Sequence, residues 1–308
     1  MGNLSPNRTN VLFMKARFQI VEISIMGLVI LLLVCGTYVR NSLWNNPVEL
    51  WAKCLKKSPN KARPHVNMGN ALARLGRTEE AITHFSQALK IDPKSLSAHY
   101  NLGIALTEQG RIEEAITHFR ETLRFEPRHA DAHYFLGSAL VRQGKLDEGM
   151  THLVEAIRIK PQHADAHRSL ADALTLQGRI EEAITHFREA LQIDPRNGKT
   201  HNSLGALLVQ LGKVDQGMGQ FTEALRADPD NAEAHYNMGI SLASQKRFQE
   251  AIGHFVKTCQ IEPKNVKAHF SLGLAYVEAG NQTAARGEYE ILKRLDPGFA
   301  EVLLKRLR

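Results

Sequence analysis

The sequence predicts an all-α solenoid of helical hairpins preceded by one transmembrane helix, and three observations carry that prediction. From Ala62 to Phe299 a single 34-residue pattern recurs seven times without insertion or deletion. Within each copy the apolar residues fall at helical spacing in two runs, as in Met68, Leu72 and Leu75 and then Ala81, Ile82, Phe85 and Leu89. Near the N-terminus, Ile23 to Val39 runs without a charge.

The seven copies are 62–95, 96–129, 130–163, 164–197, 198–231, 232–265 and 266–299. Aligned, they stack Gly69, Gly103, Gly137, Ala171, Gly205, Gly239 and Gly273 in one column, and Ala81, Ala115, Gly149, Ala183, Gly217, Ala251 and Ala285 in a second. A third column is large and mostly aromatic: Phe85, Phe119, Leu153, Phe187, Phe221, Phe255 and Tyr289. Small residues in the first two let the helices of a hairpin approach closely where the third packs. Between the two runs stands a glycine (76, 110, 144, 178, 212 and 280), with Lys246 the exception, at the place where a positive φ would end the first helix. Pro93, Pro127, Pro161, Pro195, Pro229, Pro263 and Pro297 close the second helix, because proline lacks a donor and turns the residue before it away from α. One hairpin cannot bury its apolar face alone, so the hairpins must stack.

This pattern of small, small, aromatic and proline residues at period 34 resembles the tetratricopeptide repeat (TPR) family over residues 62–299. The resemblance implies a right-handed superhelical solenoid whose first helices line a concave groove for a protein or peptide. One departure is the fourth position of each unit, often Trp in the family and here His65, His99, His133, His167, His201, His235 and His269.

Along the chain, residues 1–17 hold three basic residues and no acid and form a short tail. Residues 18–39 are expected to cross a lipid bilayer as a single helix. The uncharged part reaches roughly 26 Å at helical rise, and Glu22 lies at the interface edge. No A-x-A-like cleavage site follows, so an anchor fits better than a cleaved signal. Arg8, Lys15 and Arg17 outweigh the nearby basic residues on the other flank, which places the N-terminus inside and the repeats of this single-pass protein on the non-cytoplasmic side.

Residues 40–61 form a linker and a capping half-repeat. Asn46 suits an N-cap, Pro47 the first helical position and Glu49 the third. In register, Trp51 falls in the aromatic column, Cys54 in a small-residue slot and Pro59 in the proline column. The stretch from Arg40 to Trp44 and from Ser58 to Pro64 is also similar to the junction between membrane spans and repeats in mannosyltransferase-type TPR membrane proteins. Their multi-span catalytic portion has no counterpart here. At the other end, residues 300–308 are expected to form a capping helix.

Chemistry is not expected of the array. Twelve of the fourteen histidines fall in two columns of the repeat and stand successive units apart, where they are not expected to converge on one ion. His129 and His163 lie in loops, and no nucleophile elbow, phosphate loop or H-E-x-x-H occurs. Acidic pairs such as Glu79-Glu80, Glu113-Glu114 and Glu181-Glu182 open the second helices and are expected to cap them. The net charge of +7 is spread among acidic residues without an aromatic platform, so nucleic acid is not an expected partner. No catalytic residue, metal or cofactor is assigned.

The groove is the remaining site. The resemblance assigns it positions 2, 5, 6, 9, 12 and 13 of each unit, and among these Asn67, Asn70, Asn101, Asn202 and Asn237 can offer donor and acceptor together to peptide backbone. The sixth position is similar to the asparagine ladder of the O-linked N-acetylglucosamine transferase superhelix, with Asn in three of seven rungs. Tyr100, Tyr134 and Tyr236 serve either as interface anchors or as packing between neighbouring first helices. Arg168 and Asp172 complete the candidate set. They do not form the carboxylate clamp of chaperone-binding TPRs, since Arg168 is followed by Asp172, Ser203 and Glu233. The expected function is that of a membrane-anchored, non-catalytic scaffold. The competing reading is an accessory subunit of a glycosyltransferase or of a polysaccharide assembly or export system.

Overall fold

The computed structural model describes residues 46–307, together with Met26. Apart from Met26, the expected membrane span at 18–39 lies outside the described residues, as does the tail at 1–17. Among the described residues no helix is long and apolar enough to cross a membrane.

Sixteen helices and no strand occur among the described residues. The first, α1 (Pro47–Lys57), stands alone, and seven hairpins follow. These are α2 (Ala62–Arg74) with α3 (Thr78–Ile91), and α4 (Leu96–Glu108) with α5 (Ile112–Phe125). Next come α6 (Ala130–Arg142) with α7 (Leu146–Ile159), and α8 (Ala164–Leu176) with α9 (Ile180–Ile193). After them are α10 (Gly198–Gln210) with α11 (Val214–Ala227), and α12 (Ala232–Ser244) with α13 (Phe248–Ile261). The last hairpin is α14 (Val266–Glu278) with α15 (Gln282–Leu295), followed by α16 (Pro297–Leu307). The helices fall into two compact units, one ending at Glu126 and the other starting at Pro127.

The turns follow from local chemistry. The glycines at 76, 110, 144, 178, 212 and 280 have φ between 71° and 79°, and in the remaining hairpin Lys246 takes φ 61°. In each turn the N–H of the following residue reaches back to a carbonyl of the first helix, as Arg111 does to Leu106 at 2.9 Å. This satisfies orphan carbonyls at the helix end. At the start of α1, Asn46 Oδ1 accepts from the Glu49 N–H at 3.3 Å.

The acidic pairs lie in the first turns of the second helices, as expected, but make no cap hydrogen bond. No side chain caps α3, α5, α9 or α13; instead Glu80, Glu114, Glu182 and Glu250 each accept two hydrogen bonds from the arginine at the N-cap (Arg77, Arg111, Arg179 and Arg247), at 2.6–2.8 Å. Each arginine holds its glutamate below the usual carboxylate range. The terminal helix also differs from its expected bounds, since it begins at Pro297 and not at 300. Asp296 Oδ1 accepts from the N–H groups of Gly298 and Phe299, and the proline fills the first helical position, where no donor is needed.

The core is a chain of repeated contacts. Phe85, Phe119, Phe187, Phe221 and Phe255 are fully buried between the two helices of their hairpins, each removing about 2–3 kcal/mol worth of apolar surface from water. Where the third hairpin has Leu153 and Gly149 in place of aromatic and alanine, the backbones of α6 and α7 come together at Gly137 and Gly149. In the last hairpin Tyr289 is only half-buried, and Leu303 of α16 packs over Gly273 instead. Within each unit, successive first helices touch one another while successive second helices do not. The face lined by first helices is therefore the inner, tighter one.

Candidate protein-binding face of the first helices

In the unit ending at Glu126, α2 and α4 enclose an open cavity of about 280 Å³. Asn70 and Asn101 stand at it with Ile104, over the edge of Phe85, and Arg74 and Glu108 give its rim one charge of each sign. The spacing explains the placement: Asn70 is the ninth residue of its unit and Asn101 the sixth of the next, so adjacent first helices bring the two amides to one trough. Amides above an apolar floor can hold a peptide unit and take one of its side chains. Asn67 is half-buried on α2 and is not part of this cavity.

The fifth-position residues make contacts within the array. Tyr100 meets Phe119 edge to face at 6.4 Å, and Tyr236 lies 5.9 Å from Phe255 with its hydroxyl 3.4 Å from Ser271 Oγ. Tyr134 sits between Phe135 and His163, at 4.9 and 4.8 Å, and burial raises its hydroxyl above the ordinary tyrosine value. Asn202 is 4% exposed and accepts at 3.0 Å from Nδ2 of Asn237 on the next first helix. Arg168 donates to Asp172 at 2.9 Å along the same helix. Burial pushes the Asp172 carboxyl up, against Arg168 and Ser203, which hold it down.

In the unit starting at Pro127, the open part of this face holds Leu176 and Ile240, 68% and 40% exposed, which the sequence reading passed over. Ile240 lies at position nine, the column of Asn70, and Leu176 at position thirteen, the column of Arg74, so the signal was present in columns already assigned to the groove.

Sequence reasoning also missed a histidine arrangement, because it compared residues within a column and not between columns. Nδ1 of His65, His99, His133, His167 and His235 lies 2.9–3.0 Å from Nδ1 of His84, His118, His152, His186 and His254 respectively, across each hairpin. The visible signal was that the two columns carry histidine in the same units, nineteen residues apart. His129 and His163 cap α6 and α8, accepting from the N–H groups of Ala132 and Ala166. Among the described residues, no group of three or more His, Cys, Asp or Glu side chains is placed to hold a metal ion. Burial pushes the Cys259 thiol up to about 12, which keeps it protonated within the packing of α13.

Family models agree with this architecture. Those described as TPR repeat or tetratricopeptide repeat match residues 69–110, 171–212, 106–173, 140–185, 203–260 and 258–298, which together run from 69 to 298. The chain belongs to the tetratricopeptide-repeat family. No curated protein matches the sequence. Solved TPR structures share the fold. In the crystal structure of the APC/C hetero-tetramer Cut9-Hcn1, a chain matches with a TM-score of 0.69 at 19% identity, over 76% of this chain and 46% of that one. This TPR chain thus spans about half the length of that relative. A tetratricopeptide repeat protein from Parabacteroides merdae ATCC 43184 matches with a TM-score of 0.65 at 18% identity, over 80% and 97%. A thermophilic TPR protein of Thermus thermophilus matches at 0.51 and 24%, over 59% and 99%.

Proposed function

We propose that this TPR protein is a membrane-anchored, non-catalytic scaffold that holds an extended segment of a partner protein against the inner face of its first helices. The observation that carries the reading is the trough between α2 and α4. There Asn70 and Asn101 offer paired donor and acceptor groups over Phe85 and Ile104, between the opposite charges of Arg74 and Glu108. Backbone recognition by amides with an apolar pocket for a side chain suits a peptide. The uncharged stretch within residues 18–39 supplies the anchor, and the basic tail before it places the repeats on the non-cytoplasmic side. A second reading, an accessory subunit of a glycosyltransferase or polysaccharide assembly or export system, is favoured by one observation, the Arg40 to Pro64 junction sequence.

The test is a crosslinking capture from membranes with the intact chain and with a chain lacking residues 1–40. Capture of the same protein by both, with only the intact chain in the membrane fraction, is the expected result. Recovery of the intact chain in the soluble fraction would refute the anchor. Capture by the intact chain alone would move recognition to the membrane segment and favour the second reading.

A further inference from the structure

Each histidine pair has its protons dictated by what surrounds it. Nε2 of His99 faces the carbonyl of Pro93 at 3.0 Å, and that oxygen can only accept. His99 therefore carries its proton on Nε2, and its Nδ1 must accept from Nδ1–H of His118 at 2.9 Å. The same reasoning holds for His65, His167 and His235, whose Nε2 atoms face the carbonyls of Pro59, Pro161 and Pro229 at 3.1–3.2 Å. One ring thus ties the turn before its hairpin to the first helix, and the other ring ties the first helix to the second. The rings approach nose to nose, with centroids 5.1–5.3 Å apart.

Such a clasp uses one proton between two nitrogens. A second-helix ring charged on its outer nitrogen still donates from Nδ1, so the first added proton leaves the bond in place. When both rings are charged, two N–H groups face each other and the bond is lost. Two hairpins are built otherwise. His201 faces Oε1 of Gln220 at 2.7 Å and His269 faces Oε2 of Glu288 at 2.6 Å, so there a charged ring keeps an acceptor.

We propose that the paired histidines are acid-sensitive clasps, whose opening loosens the first helix against the second in their own hairpins while the His201–Gln220 and His269–Glu288 hairpins keep their contact. The groups facing each pair are few. His84 meets His65 and Glu80, and His118 meets His99, Glu114 and Glu121. His186 meets His167, Glu182 and Glu189, and His254 meets His235 and Glu250. Burial first, and the facing histidine second, push His84, His118, His186 and His254 below the ordinary histidine value, and the glutamates only partly offset this. The folded chain then holds these protons more weakly than the unfolded chain. The stabilisation that comes from keeping these buried rings neutral is complete above about pH 6.5 and falls away below it, and the clasp itself opens only once the facing ring binds the second proton.

The test is amide hydrogen exchange of the full chain in mild detergent with a chelator, at pH 7.5 and pH 5, corrected for intrinsic exchange rates. The hairpins 96–125 and 232–261 should lose about two- to tenfold protection at the lower pH, the worth of one lost hydrogen bond, while 198–227 and 266–295 keep theirs. His118→Gln and His254→Gln, copies of the natural Gln220 arrangement, should remove the loss in their own hairpins, and His254→Glu, a copy of Glu288, serves where a glutamine variant folds poorly. Equal loss in all four hairpins, or a loss that persists in the variants, would overturn the proposal.

Discussion

A Cβ placed on Gly103 would stand 2.6 Å from Cε1 of Phe119, so the glycine of the first helix and the aromatic of the second define how closely the hairpin closes. Phe119 is fully buried and has nowhere to retreat except by moving α5 as a whole. Gly103→Ala should cost about 1–2 kcal/mol in chemical denaturation, the range expected of modest overpacking, because Ala171 shows that one hairpin accommodates a methyl in this column. Gly103→Leu should abolish cooperative folding of that hairpin.

Lys246 occupies the left-handed turn that glycine fills in the other six hairpins. A side chain there costs roughly 1–2 kcal/mol, partly offset by the greater freedom glycine has when unfolded. Lys246→Gly should therefore raise stability by about 0.5–1 kcal/mol, read as an increase in denaturation midpoint at constant slope.

The amide bond from Asn237 to Asn202 joins two first helices inside the unit that starts at Pro127. Asn237→Ala leaves the buried Asn202 without this donor and should cost about 1–3 kcal/mol. Adding Asn202→Ala should cost less than the sum of the two single changes, and simple additivity in the double-mutant cycle would show that the bond contributes nothing.

Leu303 is fully buried over Gly273, where the half-buried Tyr289 of the last hairpin does not fill the place that the phenylalanines take elsewhere. Leu303→Ala should cost about 2–4 kcal/mol by creating a cavity at the end of the array. Thermal unfolding followed by circular dichroism reads this directly, and a change below about 0.5 kcal/mol would mean that α16 does not seal the core.

What was legible in the sequence was local or strictly periodic. The hairpins, the glycine turns with Lys246 as exception, and the Asn46 cap of α1 each depend on residues within one turn of helix or within one column. Three features were not legible. The clasp from His99 to His118 links opposite helices, so it appears only when two columns are read together. Asn202 shares the fifth position with Val66 and Tyr134, and that position faces the neighbouring helix, which is why this amide is buried and bonded to Asn237. The acid at Glu114 found a full charge on Arg111 one turn away and paired with it in preference to capping the helix.

The measurement that addresses the central claim most directly is site-specific photocrosslinking in native membranes. A photoreactive side chain at Ile104 lies in the trough between Asn70 and Asn101, and the same group at Thr83 lies on the exposed side of a second helix in the same unit. The account predicts one discrete protein adduct from position 104, none from position 83, and loss of that adduct when Asn70 and Asn101 are both changed to alanine. Adducts from position 83 alone, or an adduct at 104 that survives the double change, would contradict it.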